Sequence, residues 1–208
     1  SSFFGSYFKR LPKQREFLEA IKTSAEGLLS ILYDVLDLAR IDAGRMDLVL
    51  SPMDPQGTLE RAAAAYAPRA QRKGLEFRYV PGPNLPRRVL GDERRLRQVV
   101  SNLLDNALKF TEAGSVELRL FSRGHGGDVV TLRVEVEDTG IGIPEEGLKV
   151  IFDRFEQLDR SSVRPYPGTG LGLAVCHDLV QLMGGEISVE STPDQGSTFR
   201  VTIPFRVG

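Results

Sequence analysis

From Lys13 to about Met46 the chain reads as one long helix. Phe17, Ile21, Ser24, Leu28, Ile31, Val35 and Leu38 follow alternating steps of four and three, and all but Ser24 are apolar. A second stripe runs beside it: Leu18, Ala25, Leu29, Leu32, Leu36 and Ala39. So wide an apolar face suits a helix in a bundle or dimer better than one core face of a single domain. Gly44 stands where a helix C-cap belongs. Residues 1–12, aromatic and punctuated by Pro12, read as a terminal segment or linker.

The pattern then shortens. Asp47 to Pro52 is a strand candidate, and Pro55 to Lys73 a helix despite Pro68, stopped by Gly74. Leu75–Val80 and Val89–Leu90 are extended. Asp92 is a suitable N-cap for a helix from about Glu93 to Phe110. Ser115–Phe121 and Val129–Glu137 alternate as strands around a hairpin loop, Gly124–Asp128. A short helix is expected near Leu148–Phe155, another helix over Leu171–Met183, and two closing strands over Glu186–Glu190 and Ser197–Pro204. The result is an α+β chain: a two-layer α/β sandwich, its mixed, mostly antiparallel sheet covered by helices on one face. A boundary near residue 46 separates the bundle helix (1–46) from this domain (47–208).

Composition narrows the function. A formal net charge of -1 over 208 residues gives no electrostatic case for nucleic acid or an anionic membrane as partner. The single cysteine, Cys176, excludes an intrachain disulfide framework and suits a reducing compartment. No apolar run reaches transmembrane length. Arg87, Arg88, Arg94, Arg95 and Arg97 read as a solvated helix face.

Four stretches carry chemistry. The first is Gly168-Thr169-Gly170-Leu171-Gly172-Leu173, a glycine-rich loop opening a helix. Glycines bring backbone N–H groups close to a ligand, and a helix N-terminus adds unpaired donors and a positive dipole end. Together they suit phosphate. The second is Asn102-Leu103-Leu104-Asp105-Asn106-Ala107-Leu108-Lys109, which puts Asn102, Asn106 and Lys109 on one helix face. Two amides and an ammonium suit Mg²⁺ and the phosphates it bridges, or else form a plain polar face. The third is Asp138-Thr139-Gly140-Ile141-Gly142 after a strand. Its carboxylate can accept from an exocyclic amine, and its glycines let a flat ring approach. The fourth is Phe152-Asp153-Arg154-Phe155, whose aromatics read as packing residues, followed by a polar, proline-bearing stretch that suits a lid. His125 reads as a turn residue, His177 as structural, and Cys176 as small and buried. Walker-type, protein-kinase and zinc patterns are absent.

In this order the four stretches resemble the catalytic ATP-binding domain of sensor histidine kinases, within the superfamily shared with DNA gyrase and ATP-dependent chaperones. The resemblance covers about residues 50–206. The wording around Phe155–Asp159, with Arg164, resembles hybrid kinases, and Lys13–Gly44 resembles the second helix of a dimerisation and phosphotransfer domain. The resemblance implies ATP and Mg²⁺ as cofactors. It implies Asn106 and Asn102 beside the metal, Lys109 on phosphate and Asp138 on the adenine amine. Gly140 and Gly142 would line the base, and Arg164 would be a lid cation. Gly168, Thr169, Gly170, Leu171 and Gly172 would form the phosphate loop. It further implies a cytoplasmic module, compatible with a membrane-anchored parent. Its partners would be a histidine-bearing dimerisation domain, a response regulator or receiver domain, and a second copy in a homodimer.

One departure stands out. The family's acceptor motif, a histidine followed by an acid and later a proline, is missing, and neither His125 nor His177 matches it. The expectation is that the chain is a piece lacking the helix that carries the acceptor. It would then transfer the γ-phosphoryl of ATP to a histidine elsewhere and be unable to phosphorylate itself. The alternative is a nucleotide-binding regulatory module that transfers nothing.

Overall fold

The computed structural model describes residues 2–156 and 170–207; several side chains before residue 31, and those of 125–126, lie outside it. Helix α1 runs Ser2–Asp42 without interruption. The expected linker over residues 1–12 is therefore helix. Proline's φ is helical, so Pro12 removes one hydrogen bond without ending the run. The far end closes as the sequence suggests. Gly44 has φ 62°, with Gly44 N–H donating to the Ile41 carbonyl and Arg45 N–H to that of Arg40. That pair of bonds is a Schellman cap.

The remaining elements are β1 Ser51–Met53, α2 Pro55–Arg72, β2 Glu76–Pro81, β3 Val89–Gly91 and α3 Glu93–Phe110. They are followed by β4 Ser115–Gly126, β5 Val129–Asp138, α4 Glu145–Leu148, α5 Gly172–Leu182, β6 Glu186–Thr192 and β7 Gly196–Val207. Asp54 caps α2 by accepting from Gly57 N–H, and Asp92 caps α3 by accepting from Arg95 N–H. These caps satisfy orphan donors at both helix starts. Two expectations shift. The β4–β5 hairpin turns only at Gly127-Asp128, and the strand continues past a bulge between Arg123 and His125. Gly124, at φ 60°, supplies the backbone the bulge needs. The expected helix over 148–155 is instead the four-residue α4 followed by turns.

The sheet runs β1-β3-β7-β5-β4-β2, with β6 also paired to β7. Every pairing is antiparallel except β2 with β4. Alternation sorts its faces. Val116, Leu118 and Leu120 of β4 and Leu132, Val134 and Val136 of β5 are buried beneath the helices. Leu96, Val99, Val100, Leu103 and Leu104 of α3 and Val175, Leu179 and Val180 of α5 meet them. The opposite face is a lattice of ion pairs, among them Arg119 with Glu137 at 2.7 Å and Arg200 with Glu190 at 2.5 Å. The two-layer sandwich is thus present, with the helices among the described residues packed on one face of the sheet.

α1 stands apart from this core. Phe17, Ile21, Leu28 and Leu32 are each at least half exposed, which removes the core-helix reading. Among the described residues its last turns engage the domain, through buried Leu38 and through Asp34, Asp37 and Asp42. No helix among the described residues is long and apolar enough to cross a membrane.

Candidate functional site

The apolar stripe of α3 decides where its polar residues go. Leu103, Leu104, Ala107 and Leu108 are at most 4% exposed. Asn102, Asn106 and Lys109 are therefore held on the flank, each half-buried. Asn102 Nδ2 donates to the Gly172 carbonyl at 3.2 Å and also faces the Cys176 thiol. With its NH₂ so engaged, Asn102 keeps Oδ1 as an acceptor. The Asn106 amide has no hydrogen-bond partner among the described residues, although it is half-buried. Lys109 lies 4.7 Å from the Phe110 ring centroid, and burial holds its pKa below the ordinary lysine value.

α5 starts at Gly172 and, unlike α2 and α3, has no side-chain cap. Asn102 on α3 reaches the first residue of this helix through its bond to the Gly172 carbonyl. Among the described residues, a Cβ at Gly172 would meet no atom nearer than 3.8 Å, the Asn102 amide nitrogen. The packing of the described residues therefore does not require this glycine. Leu171 is 1% exposed, so its side chain serves the core. Gly170 has φ 67°, and a Cβ there would sit 2.7 Å from the Glu156 carbonyl oxygen and 2.8 Å from the Phe155 carbonyl carbon. Its carbonyl accepts from Phe155 N–H at 3.1 Å, closing the base of the loop. Gly168, Thr169 and Arg164 lie outside the described residues.

Asp138 ends β5 with 7% exposure. Burial pushes its carboxyl above the ordinary aspartate value, against the opposing pull of Gly140 and Ser197 N–H groups. The Gly140 bond is 2.8 Å. Ile141 N–H donates to the Phe110 carbonyl, Asp194 N–H to that of Ile141, and Ile143 N–H to Ser191 Oγ. These bonds tie the loop to the end of α3 on one side and the β6–β7 hairpin on the other. Gly140 and Gly142 have reasons besides a ligand. A Cβ on Gly140 would sit 2.4 Å from the Phe110 carbonyl oxygen, and one on Gly142, at φ 64°, 2.0 Å from that of Thr192.

Three features escape sequence patterns. Arg95, expected in solvent, is 3% exposed and donates to Asp37 at 2.6 Å. Arg154 bridges Asp42 of α1 and Asp178 of α5 at 2.6 and 3.0 Å. Phe155, expected to pack, is 71% exposed with φ 65°, whereas Phe152 does pack, 5.7 Å from the His177 ring. Cys176 is buried and free, as expected.

Residues 91–207 match the family described as Histidine kinase-, DNA gyrase B-, and HSP90-like ATPase. The chain belongs to this ATPase family. Among its relatives, hybrid signal transduction histidine kinase L of Dictyostelium discoideum is 40% identical over 194 residues, 93% of this chain and 11% of the relative. Signal transduction histidine-protein kinase BarA of Escherichia coli (strain K12) is 41% identical over 188 residues, 90% of this chain and 20% of the relative. The chain thus spans only about a tenth to a fifth of the length of these relatives. Full-length ShkA, solved in complex with AMPPNP, superposes with a TM-score of 0.78 at 38% identity over 94% of this chain and 40% of that one. The mycobacterial sensor histidine kinase MprB superposes with a TM-score of 0.60 at 28% identity over 77% of this chain and all of that one.

Proposed function

We propose that this chain binds Mg·ATP and donates its γ-phosphoryl group to a histidine on a dimerisation domain, as the catalytic module of a two-component hybrid kinase. The observation that carries the reading is the Asn102–Gly172 hydrogen bond. It sets an amide-bearing flank beside an uncapped helix start, which supports reading metal-type ligands and phosphate-type donors as parts of one site. The donor set fits the metal. Among the described residues no cluster of three or more His, Cys, Asp or Glu side chains could hold an ion. The free oxygen of Asn102 and the unpartnered Asn106 amide match a cation that takes oxygen ligands and keeps water and phosphate in its shell. Magnesium there would screen the charge of the phosphate oxygens.

The chain's own groups would do the rest. Asp138 would accept from the adenine amine, and Gly170 and Gly172 N–H groups would bind phosphate oxygens. Lys109, half-buried beside the amides, would add positive charge. Phosphoryl transfer depends mostly on positioning and electrostatic stabilisation. An amide at Asn102 cannot take a proton from water, which favours transfer to a side chain over hydrolysis. The exposed apolar stripes of α1 suit a bundle formed with a histidine-bearing helix and a second copy. The relatives' description as hybrid kinases supports a receiver domain or response regulator as partner.

The test supplies the histidine-bearing segment of the parent protein together with γ-labelled ATP. Acid-labile, base-stable label on that segment is expected. ATP binding without any such label would instead support a regulatory module.

A further inference from the structure

Asp34 and Asp37 lie one turn apart on α1, and both turn into its seam with α3 and α5. They are treated differently there. Asp37 Oδ2 accepts from Arg95 at 2.6 Å and from Gln98 Nε2 at 2.9 Å. Arg95 and, more weakly, Arg94 from α3 keep its carboxyl below the ordinary value despite burial. Asp34 is 9% exposed, and among the described residues no hydrogen bond or ion pair reaches it. What faces it is the charge of Asp37 from α1 and the Cys176 thiol from α5. That thiol, pushed up to about 12 by burial, stays neutral. The arginines of α3 serve Asp37 and leave Asp34 uncompensated.

We propose that the protonation state of Asp34 governs how firmly the last turns of α1 dock on the ATP-binding domain, making this seam a proton-responsive joint. A buried carboxylate without a partner is costly when ionised and tolerable when neutral. Burial first, and Asp37 second, push Asp34 from 3.8 to about 6. Because the docked value is raised, the contribution to docking is complete below the undocked value. It fades as pH rises and is lost above the docked one. Docking therefore weakens about tenfold between pH 5 and pH 7.5. The joint matters because α3 and α5, which grip α1, are the helices that carry the Asn102 flank and the phosphate-type donors. Arg154, which clasps Asp42 to Asp178, directly precedes Phe155, whose N–H closes the loop base on Gly170. A change in docking is thus placed to reach the nucleotide loop, although the inference itself does not depend on nucleotide binding.

Residues 1–208 can be tested without any ligand. Carboxyl NMR should show Asp34 titrating near pH 6. Amide exchange over the last turns of α1, corrected for intrinsic rates, should lose protection about tenfold from pH 5 to 7.5. Asp34→Asn and, as a second variant, Asp34→Ala should hold their protection across that range. Asp37→Asn, which breaks the Arg95 clasp, should lower protection at both pH values. An Asp34 that titrates near 4 would overturn the proposal. So would protection in the parent that ignores pH, an unchanged pH response in the Asp34 variants, or full protection in Asp37→Asn.

Discussion

The side-chain nitrogen of Asn102 lies 3.2 Å from the carbonyl oxygen of Gly172. Those residues are seventy positions apart in sequence, on two helices whose apolar faces share one core. The bond does more than join α3 to α5. It uses the amide's donor side and so leaves its oxygen as the group available to a cation. It also ties the α3 flank to the first turn of α5, which carries no side-chain cap.

Gly172→Ala tests whether that space belongs to a ligand. Among the described residues a Cβ would meet only ordinary contact, 3.8 Å from Asn102. Alanine also forms helix more readily than glycine, by about 0.5–1 kcal/mol. The melting temperature should stay or rise, while ATP affinity falls at least about tenfold, or ~1.4 kcal/mol. Calorimetric titration beside a thermal melt reads both. Unchanged affinity would take the α5 start out of the site.

Asn106→Ala removes an amide that has no partner among the described residues, so stability should change by less than about 0.5 kcal/mol. The magnesium dependence of ATP binding should shrink. Titrations with and without Mg²⁺ decide it, and an undiminished magnesium effect would remove Asn106 from the metal.

Asp138→Asn replaces an acceptor oxygen with a donor NH₂. Loss of a charge-assisted hydrogen bond is worth about 1.5–3 kcal/mol, more than tenfold in affinity, and preference for ATP over GTP should narrow. The parent should also show a pH signature. Burial raises the Asp138 carboxyl above 3.8. Its protonated form is therefore favoured in the fold to a higher pH than in the unfolded chain, and its contribution to stability fades as pH rises. ATP binding, which needs the ionised acceptor, should run the opposite way and weaken on acidification before an ordinary aspartate would protonate. An Asp138→Asn variant with the parent's affinity and pH profile would refute the adenine assignment.

Periodicity and punctuation made much of this fold legible. The Asp92 cap and the apolar repeat of α3 place that helix at Glu93–Phe110, as the structure has it. The strands of β5 and β7 announce themselves by alternation. The site's parts are also local: an amide flank on one helix, an acid at a strand end, glycines at a helix start. What local patterns do not carry is the long-range pairing. Arg95 looks solvated because it sits among charged neighbours, yet Asp37, fifty-eight positions away, draws it into the seam. Arg154 reads as one letter of an aromatic motif, while its ion pairs reach back to Asp42. Phe155 looks like core, but the loop base needs its backbone at positive φ and turns its ring outward.

The histidines of the chain should not accept phosphate. His177 is held by Asp178 at 3.3 Å and Gln181 at 3.1 Å and leans on the Phe152 ring. To attack, its ring would have to leave those contacts. His125 lies in β4, across from Val130 and far along the hairpin from the Asp138 end. Incubation of residues 1–208 with γ-labelled ATP should leave the chain unlabelled. Stoichiometric acid-labile label on either histidine would make the chain a self-contained kinase.

The central claim is that the α3 flank, Asp138 and the α5 start form one Mg·ATP site. Calorimetric titration of residues 1–208 with ATP and with GTP, each with and without Mg²⁺, tests it most directly. The account predicts saturable binding of one ATP per chain, strengthened by Mg²⁺ and much weaker for GTP. Absence of saturable ATP binding, or binding indifferent both to Mg²⁺ and to the base, would contradict it.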